Sequence, residues 1–167
     1  MPGADMTTAH KATTSATLAK FQRYIENGTP TGHSYALLLG LRDMDWPHLL
    51  RAVEQGFTYE TFERLRENAG LSFDDTAEWL QLAARTLMRR KQQGRFAPDE
   101  SDRLLRAARL LGRALELFDG DSQAAREWLL TPQPALGNEA PVTVARTELG
   151  AREVENLIGR IEHGVFS

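Results

Sequence analysis

Cysteine is absent from this chain, and the other groups that build catalytic and metal sites are sparse. Without thiols the protein can form neither a disulfide nor a cysteine-ligated zinc site, which fits a reducing compartment. The four histidines are scattered, and no two of them have the spacing of metal ligands. Glycine-rich phosphate loops and nucleophile motifs are also missing. We therefore expect no metal, no cofactor, no small-molecule substrate and no catalytic residues, and hence no enzyme.

Long hydrophobic runs are missing as well. The longest apolar run covers only residues 35–39, whereas a helix needs about 20 apolar residues to cross a bilayer. No positively charged segment introduces a secretory hydrophobic region near the first residue. These two absences predict a cytoplasmic protein that has no membrane partner.

Alternating strand patterns are not found, and apolar residues recur instead at helical spacing. A chain of 167 residues with 41% apolar content can bury a core, so we expect an all-α fold. Residues 1–17 are rich in threonine, alanine and small polar types, which predicts a mobile tail. Short helices are expected next, one around Phe21 and one over residues 35–41.

A helix-turn-helix is predicted in the middle of the chain. Another helix comes before this helix-turn-helix, and Thr58 is its expected N-cap. Ser72, followed three residues later by Asp75, resembles a capping box and should begin a short helix. After a short break, a second helix over residues 84–93 should end at Gly94 with a left-handed cap.

Positive charge is concentrated on this second helix, although the formal net charge of the chain is −3. No acid follows Glu78 within residues 71–96, and such a local excess of positive charge points to a polyanionic partner. In a helix-turn-helix the second helix enters the major groove of DNA. The predicted DNA-binding residues are the base readers Arg85 and Thr86 and, in the same basic stretch, Arg89, Arg90, Lys91 and Arg95. The alternative is a basic helix face that only contacts solvent.

A long helix with two adjacent apolar stripes is predicted from Pro98 to about Phe118. A face this wide predicts that the helix is central or lies at a dimer interface. The remaining face carries four arginines, and Glu100, Asp102 and Glu116 are near enough to make it a salt-linked, solvated face. These arginines are Arg103, Arg106, Arg109 and Arg113.

The residues after this helix predict a separate small helical unit. Asp121 can cap a helix that contains Trp128 and ends before Pro132. A loop follows, and a last helix is expected over residues 150–163. Its inward positions are Val154, Leu157, Ile158 and Ile161.

An ordered set of residues in this C-terminal part forms a specific pattern. It includes a Pro-Ala-Leu-Gly turn at residues 134–137, and its other members are Ala125, Trp128, Leu129, Pro132, Pro141, Thr147, Gly150, Val154, Leu157, Ile161 and Gly164. Together with the basic helix and the long helix, this pattern resembles the Xre-like antitoxins of RES-Xre toxin–antitoxin modules, also called the MbcA/ParS type. The resemblance covers roughly residues 46–166. Pro134 departs from the usual polar residue, which affects only the loop.

The resemblance implies two regions and two partners. Residues 46–119 would be a helix-turn-helix region with a long dimerisation helix, and residues 120–167 a small helical toxin-binding domain. Residues 1–45, which composition and helical spacing describe instead, would be a mobile tail with short helices. The protein would be the homodimeric antitoxin of a type II system. It would inhibit a RES-domain toxin that consumes NAD, and it would repress its own operon by binding operator DNA.

The same resemblance implies that the last helix and the segment after it cover the NAD pocket of the toxin. Carried over by position, the toxin-binding residues are Asn156, Arg160, His163, Val165 and Phe166. One alternative is that Val165 and Phe166 fold back on their own domain. The other is a stand-alone helix-turn-helix transcriptional regulator that has no toxin partner.

Overall fold

The computed structural model describes residues 15–28, 32–42 and 45–164. Within these residues the fold is all-α, as predicted, with nine α-helices, two 3₁₀ helices and no β-strand. The α-helices are α1 (Ala16–Glu26), α2 (Trp46–Gln55), α3 (Glu60–Ala69), α4 (Phe73–Trp79), α5 (Ala84–Gln93), α6 (Pro98–Leu117), α7 (Ser122–Leu130), α8 (Pro141–Val144) and α9 (Glu148–Glu162). The 3₁₀ helices are Ser34–Leu39 and Pro134–Leu136.

Local sequence signals set most of the helix ends. Ser72 begins α4 and Asp121 begins α7, as predicted, because each side chain accepts a hydrogen bond from the backbone N–H three residues later. The predicted cap at Thr58 is wrong, since α3 has Tyr59 at its N-cap position. Thr58 instead forms a β-bridge with Arg95, a contact that depends on the folded chain and not on neighbouring residues.

The buried residue Asn68 of α3 joins α1 and the first 3₁₀ helix to the rest of the protein through hydrogen bonds. Its amide nitrogen donates to the Leu38 carbonyl oxygen at 2.8 Å and to Thr17 Oγ1 at 3.1 Å. Its amide oxygen accepts from Ser15, which also caps α1. The prediction of a mobile tail is therefore wrong for residues 15–17. The remainder of that prediction, residues 1–14, lies outside the described residues.

The long helix α6 lies at the centre of the fold, one of the two positions that its stripes predict. It packs against α2, α3, α7 and α9 and against the first 3₁₀ helix. Residues of both stripes are covered within one chain and are 4% exposed or less: Leu104, Ala107, Ala108, Leu110, Leu111, Ala114 and Leu115. These stripes therefore need no second copy of the chain to bury them.

The C-terminal helices pack on α6 through the apolar face of α9, where Val154 and Ile158 are fully buried. Thr147 begins α9 by accepting a hydrogen bond from the Gly150 N–H at 3.0 Å. Only glycine fits at position 150, because a Cβ there would lie 1.8 Å from the Val144 carbonyl oxygen. One continuous apolar core includes residues from α1 to α9, so the C-terminal helices share it with the rest of the chain.

Candidate functional site

The predicted helix-turn-helix consists of α4, a short turn and α5. Gln81 adopts a left-handed backbone in this turn, with φ at 52°, and Arg103 of α6 donates to its carbonyl oxygen at 3.0 Å. Leu80, Leu82 and Leu87 are buried and seat the turn and α5 on the core. The opposite side of α5 therefore faces solvent.

The solvent-facing side of α5 is basic. Its outward face consists of four exposed residues at positions i, i+3, i+4 and i+7, which share one side of a helix: Arg85, Met88, Arg89 and Gln92. Lys91 is exposed at the edge of this face, and Thr86 is partly buried beside it. Within the described part of the chain, no carboxylate forms an ion pair with the cations Arg85, Arg89 and Lys91. Free guanidinium groups of this kind can bind phosphate oxygens and guanine edges.

Arg90 and Arg95 differ from these cations because they contact other parts of the protein. The Arg90 Nε donates to Glu100 Oε1 at 2.6 Å, and its Nη2 donates to the other carboxylate oxygen at 3.3 Å. Glu100 also accepts from the Ala97 N–H at 2.7 Å, and only 7% of its side chain is exposed. Arg95 donates to the Gly56 carbonyl oxygen at 2.8 Å. Two of the six predicted DNA-binding residues thus hold α5 and its following loop in place.

The exposed side of α9 carries the predicted toxin-binding residues that the structure describes. Asn156 and His163 are exposed, and Arg160 is partly buried. They border a shallow depression of about 400 Å³ that is lined by Glu155, Asn156, Gly159, Arg160 and His163. The structure thus brings these three predicted residues together. Val165 and Phe166 lie outside the described residues.

Two family models match the two parts of this arrangement. Residues 48–109 match the antitoxin Xre-like helix-turn-helix domain, and residues 113–164 match the antitoxin Xre/MbcA/ParS C-terminal toxin-binding domain. A relative from Yersinia enterocolitica, named Antitoxin Xre, is 38% identical over 120 residues, which are 71% of this chain and 81% of that protein. A relative of the same name from Photorhabdus laumondii is 33% identical over 130 residues, which are 77% of this chain and 88% of that protein. The chain belongs to the Xre antitoxin family.

Family membership makes the protein an antitoxin of a toxin–antitoxin system that contains a helix-turn-helix domain, and not an enzyme. The two matched domains imply a toxin partner and DNA binding. In the described part of the antitoxin, no helix is long and apolar enough to cross a membrane. The histidines and carboxylates described there form no group that could hold a metal ion.

A row of arginines on α6 joins the C-terminal helix of the antitoxin to the rest of the fold. The predicted salt-linked face is confirmed, and α9 supplies partners that the sequence did not indicate. The ion pairs across the two helices are Arg106–Glu148 at 2.8 Å, Arg109–Glu148 at 3.6 Å, Arg109–Glu155 at 2.6 Å and Arg113–Glu162 at 2.8 Å. Burial opposes ionisation of Glu148, but the hydrogen bond from Arg152 and the charges of Arg109 and Arg106 outweigh it and lower the pKa of Glu148. Of the three carboxylates expected to pair within α6, Glu100 pairs with Arg90 instead.

Two exposed apolar residues, one on α5 and one on α9, are not among the residues predicted to bind DNA or toxin. Met88 is 52% exposed on the outward face of α5, and Leu149 is 74% exposed in the first turn of α9. Leu149 precedes Asn156 by seven residues, which places the two on the same side of the helix. Helical spacing from the buried residues Leu87 and Ile158 could have identified both, since it separates outward from inward positions.

Proposed function

We propose that the antitoxin inhibits a RES-domain toxin that consumes NAD, by covering the toxin active site with α9 and the segment after it. The observation that carries this proposal is the exposed side of α9, where Asn156, Arg160 and His163 border a shallow depression. Polar and charged side chains around a concave surface suit contact with a protein partner. A stand-alone regulator is disfavoured, because residues 113–164 match a toxin-binding domain.

The segment after α9 extends the proposed inhibitory surface. By resemblance to the family, Val165 and Phe166 belong to the contact with the toxin. An apolar pair beside a polar helix face can fill a cleft whose walls are mostly apolar, while the polar side chains fix the orientation. We therefore assign Asn156, Arg160 and His163 to the rim of the toxin cleft and the two apolar residues to its interior.

Co-expression with a RES-type protein encoded beside the antitoxin tests this proposal. The wild-type antitoxin should form a stable complex and restore both growth and cellular NAD. The double variant Asn156→Ala/Arg160→Ala and the deletion of residues 164–167 should each weaken the complex and let NAD fall. The matched control, Arg85→Ala/Arg89→Ala on α5, should neutralise like the wild type. If the RES-type protein stayed unbound and toxic in the presence of the wild-type antitoxin, the proposal would be refuted. If the toxin left cellular NAD unchanged, the part of the proposal that concerns NAD would be refuted.

We further propose that the antitoxin represses its own operon as a homodimer that presents α5 to operator DNA. The support for this proposal is the outward face of α5, where Arg85 and Arg89 are exposed and pair with no carboxylate of the described residues. Both side chains can therefore contact DNA without breaking an internal ion pair. A two-fold dimer would place its two recognition helices about 34 Å apart, which is one turn of the duplex.

Footprinting of the DNA upstream of the antitoxin gene tests the second proposal. Protection of two related half-sites about 10 base pairs apart is expected from a two-fold dimer. Binding should also weaken steeply with salt, because cations released from phosphates drive it. Arg85→Ala should weaken binding, whereas Arg152→Ala on α9 is the matched control and should not. Protection of a single half-site by a monomer would contradict the dimer, and an affinity that salt does not change would contradict the DNA interface.

A further inference from the structure

Met88 occupies the middle of the outward face of α5. The residue is 52% exposed, and Arg85, Arg89 and Gln92 surround it at helical spacing. A single exposed methionine on a protein surface is ordinary. The position of this one is informative, because it is the apolar member of a face whose other members are cations and an amide.

The charges around Met88 select the partner that can cover it. The other arginines of α5 and α6 each pair with a carboxylate: Arg90, Arg103, Arg106, Arg109 and Arg113. Arg85, Arg89 and Lys91 do not, among the residues described, so the unpaired cations of these two helices surround the exposed methionine. A second copy of the same face would place like charges opposite each other, which opposes association. A polyanion that also presents an apolar group would complement both the arginine and lysine charges of this face and the thioether of Met88.

We propose that Met88 recognises the C5-methyl group of a thymine in the major groove, next to bases that Arg85 and Arg89 contact. This inference rests on the proposed DNA-binding function of α5. The thymine methyl is the apolar group that base pairs present in the major groove, whereas arginine pairs best with guanine. Arg85 and Met88 lie about 4.5 Å apart along the helix axis, a distance comparable with the roughly 3.4 Å between successive base pairs. Neighbouring base pairs can therefore be read by these residues.

Selection of bound duplexes from a random pool, followed by replacement of single thymines with 2′-deoxyuridine, tests the proposal. Deoxyuridine removes only the methyl group and leaves every hydrogen-bonding atom in place. One thymine in each half-site should be sensitive, and its replacement should weaken wild-type binding about fourfold, the change that burial of one methyl-sized group gives. Met88→Ala should bind the thymine duplex about fourfold more weakly than the wild type and should no longer distinguish it from the deoxyuridine duplex.

The matched control is Leu149→Ala, which truncates another exposed apolar side chain, on α9. It should retain both the wild-type affinity and the wild-type sensitivity to deoxyuridine. Three results would overturn the inference: no sensitive thymine in the wild type, unchanged discrimination by Met88→Ala, or a Met88→Ala defect in self-association that accounts for the lost affinity. If the wild type bound no duplex, the proposed DNA-binding function would fail together with this inference. Tight DNA binding without thymine discrimination would refute the role of Met88 alone.

Discussion

Arg89 and Arg90 are adjacent in α5 but have different surroundings, so replacing each with alanine should separate an effect on stability from an effect on DNA binding. Arg89 is exposed on the outward face. The Arg90 side chain is 20% exposed and joins α5 to Glu100 of α6, whose side chain is 7% exposed. We expect Arg90→Ala to destabilise the fold and Arg89→Ala to weaken DNA binding.

The size of the stability effect follows from the burial of the Arg90–Glu100 pair. Removing one partner of a buried ion pair costs about 3–5 kcal/mol. Two features reduce that cost here, because the Arg90 side chain is 20% exposed and Glu100 keeps the hydrogen bond from the Ala97 N–H at 2.7 Å. We therefore expect Arg90→Ala to lower the free energy of unfolding by about 2 kcal/mol and the melting temperature by roughly 4–8 °C. Arg89→Ala should change the free energy of unfolding by less than about 0.5 kcal/mol, since an exposed helical position accepts alanine readily.

Two assays measure these effects separately. Thermal unfolding followed by far-ultraviolet circular dichroism gives the melting temperatures. Titration of operator binding with salt, well below both melting temperatures, counts the phosphate contacts, because each lost contact reduces the slope of log affinity against log salt by about 1. Arg89→Ala should show this reduction and Arg90→Ala should not. The reasoning would be refuted if Arg90→Ala had the wild-type melting temperature and a reduced salt slope. Arg90 would then be a DNA-binding residue.

Three further substitutions test contacts that hold the fold together. Glu148→Gln should lower the free energy of unfolding by only about 1 kcal/mol at neutral pH, because the Glu148 side chain is 44% exposed and solvent screens its ion pairs. Its pKa in the folded protein lies below the ordinary value of 4.5, so its contribution is lost as the pH falls below that value, and the melting temperatures of variant and wild type should converge in acid. Asn68→Ala should lower the free energy of unfolding in urea by about 2 kcal/mol, because the buried Leu38 carbonyl loses its hydrogen-bond donor. A variant as stable as the wild type would contradict the role of this amide. Gly150→Ala should lower the free energy of unfolding by about 1–3 kcal/mol, because the added Cβ overlaps the Val144 carbonyl oxygen. It should also weaken toxin binding more than DNA binding. Equal losses of the two activities would place the damage outside α8 and α9.

The helices and most of their ends could be predicted because they depend on neighbouring residues. Ser72 and Asp121 begin helices through hydrogen bonds to backbone groups three residues away. Gly94 ends α5 because its left-handed backbone is available to glycine at little energetic cost. Even the wide apolar face of α6 is a local pattern, since helical periodicity alone reveals it. The family was predictable for the same reason, because its characteristic residues follow one another along a single segment.

Side-chain partners on different helices could not be predicted in this way, because the fold decides which groups meet. The sequence presents Arg89 and Arg90 as equivalent cations, yet only Arg90 meets Glu100. The arginines of α6 were expected to pair within that helix, but packing adds carboxylates from α9, such as Glu155 at 2.6 Å from Arg109. Met88 differs from these partners, because helical spacing from Leu87 already places it on the outward side of α5.

The proposed DNA-binding face of α5 and the proposed toxin-binding face of α9 use different side chains from the contacts between helices, which has a consequence for function. Arg89 and Asn156 are exposed and form no side-chain hydrogen bond or ion pair with any described residue, whereas Glu100 and Glu148 join helices. A substitution on one face should therefore remove one partner and spare the other. A substitution at a joining carboxylate should instead weaken both activities through the fold. Because α6 contacts the helix-turn-helix turn through Arg103 and also carries the arginines that pair with α9, instability in either region would reach the other through this helix.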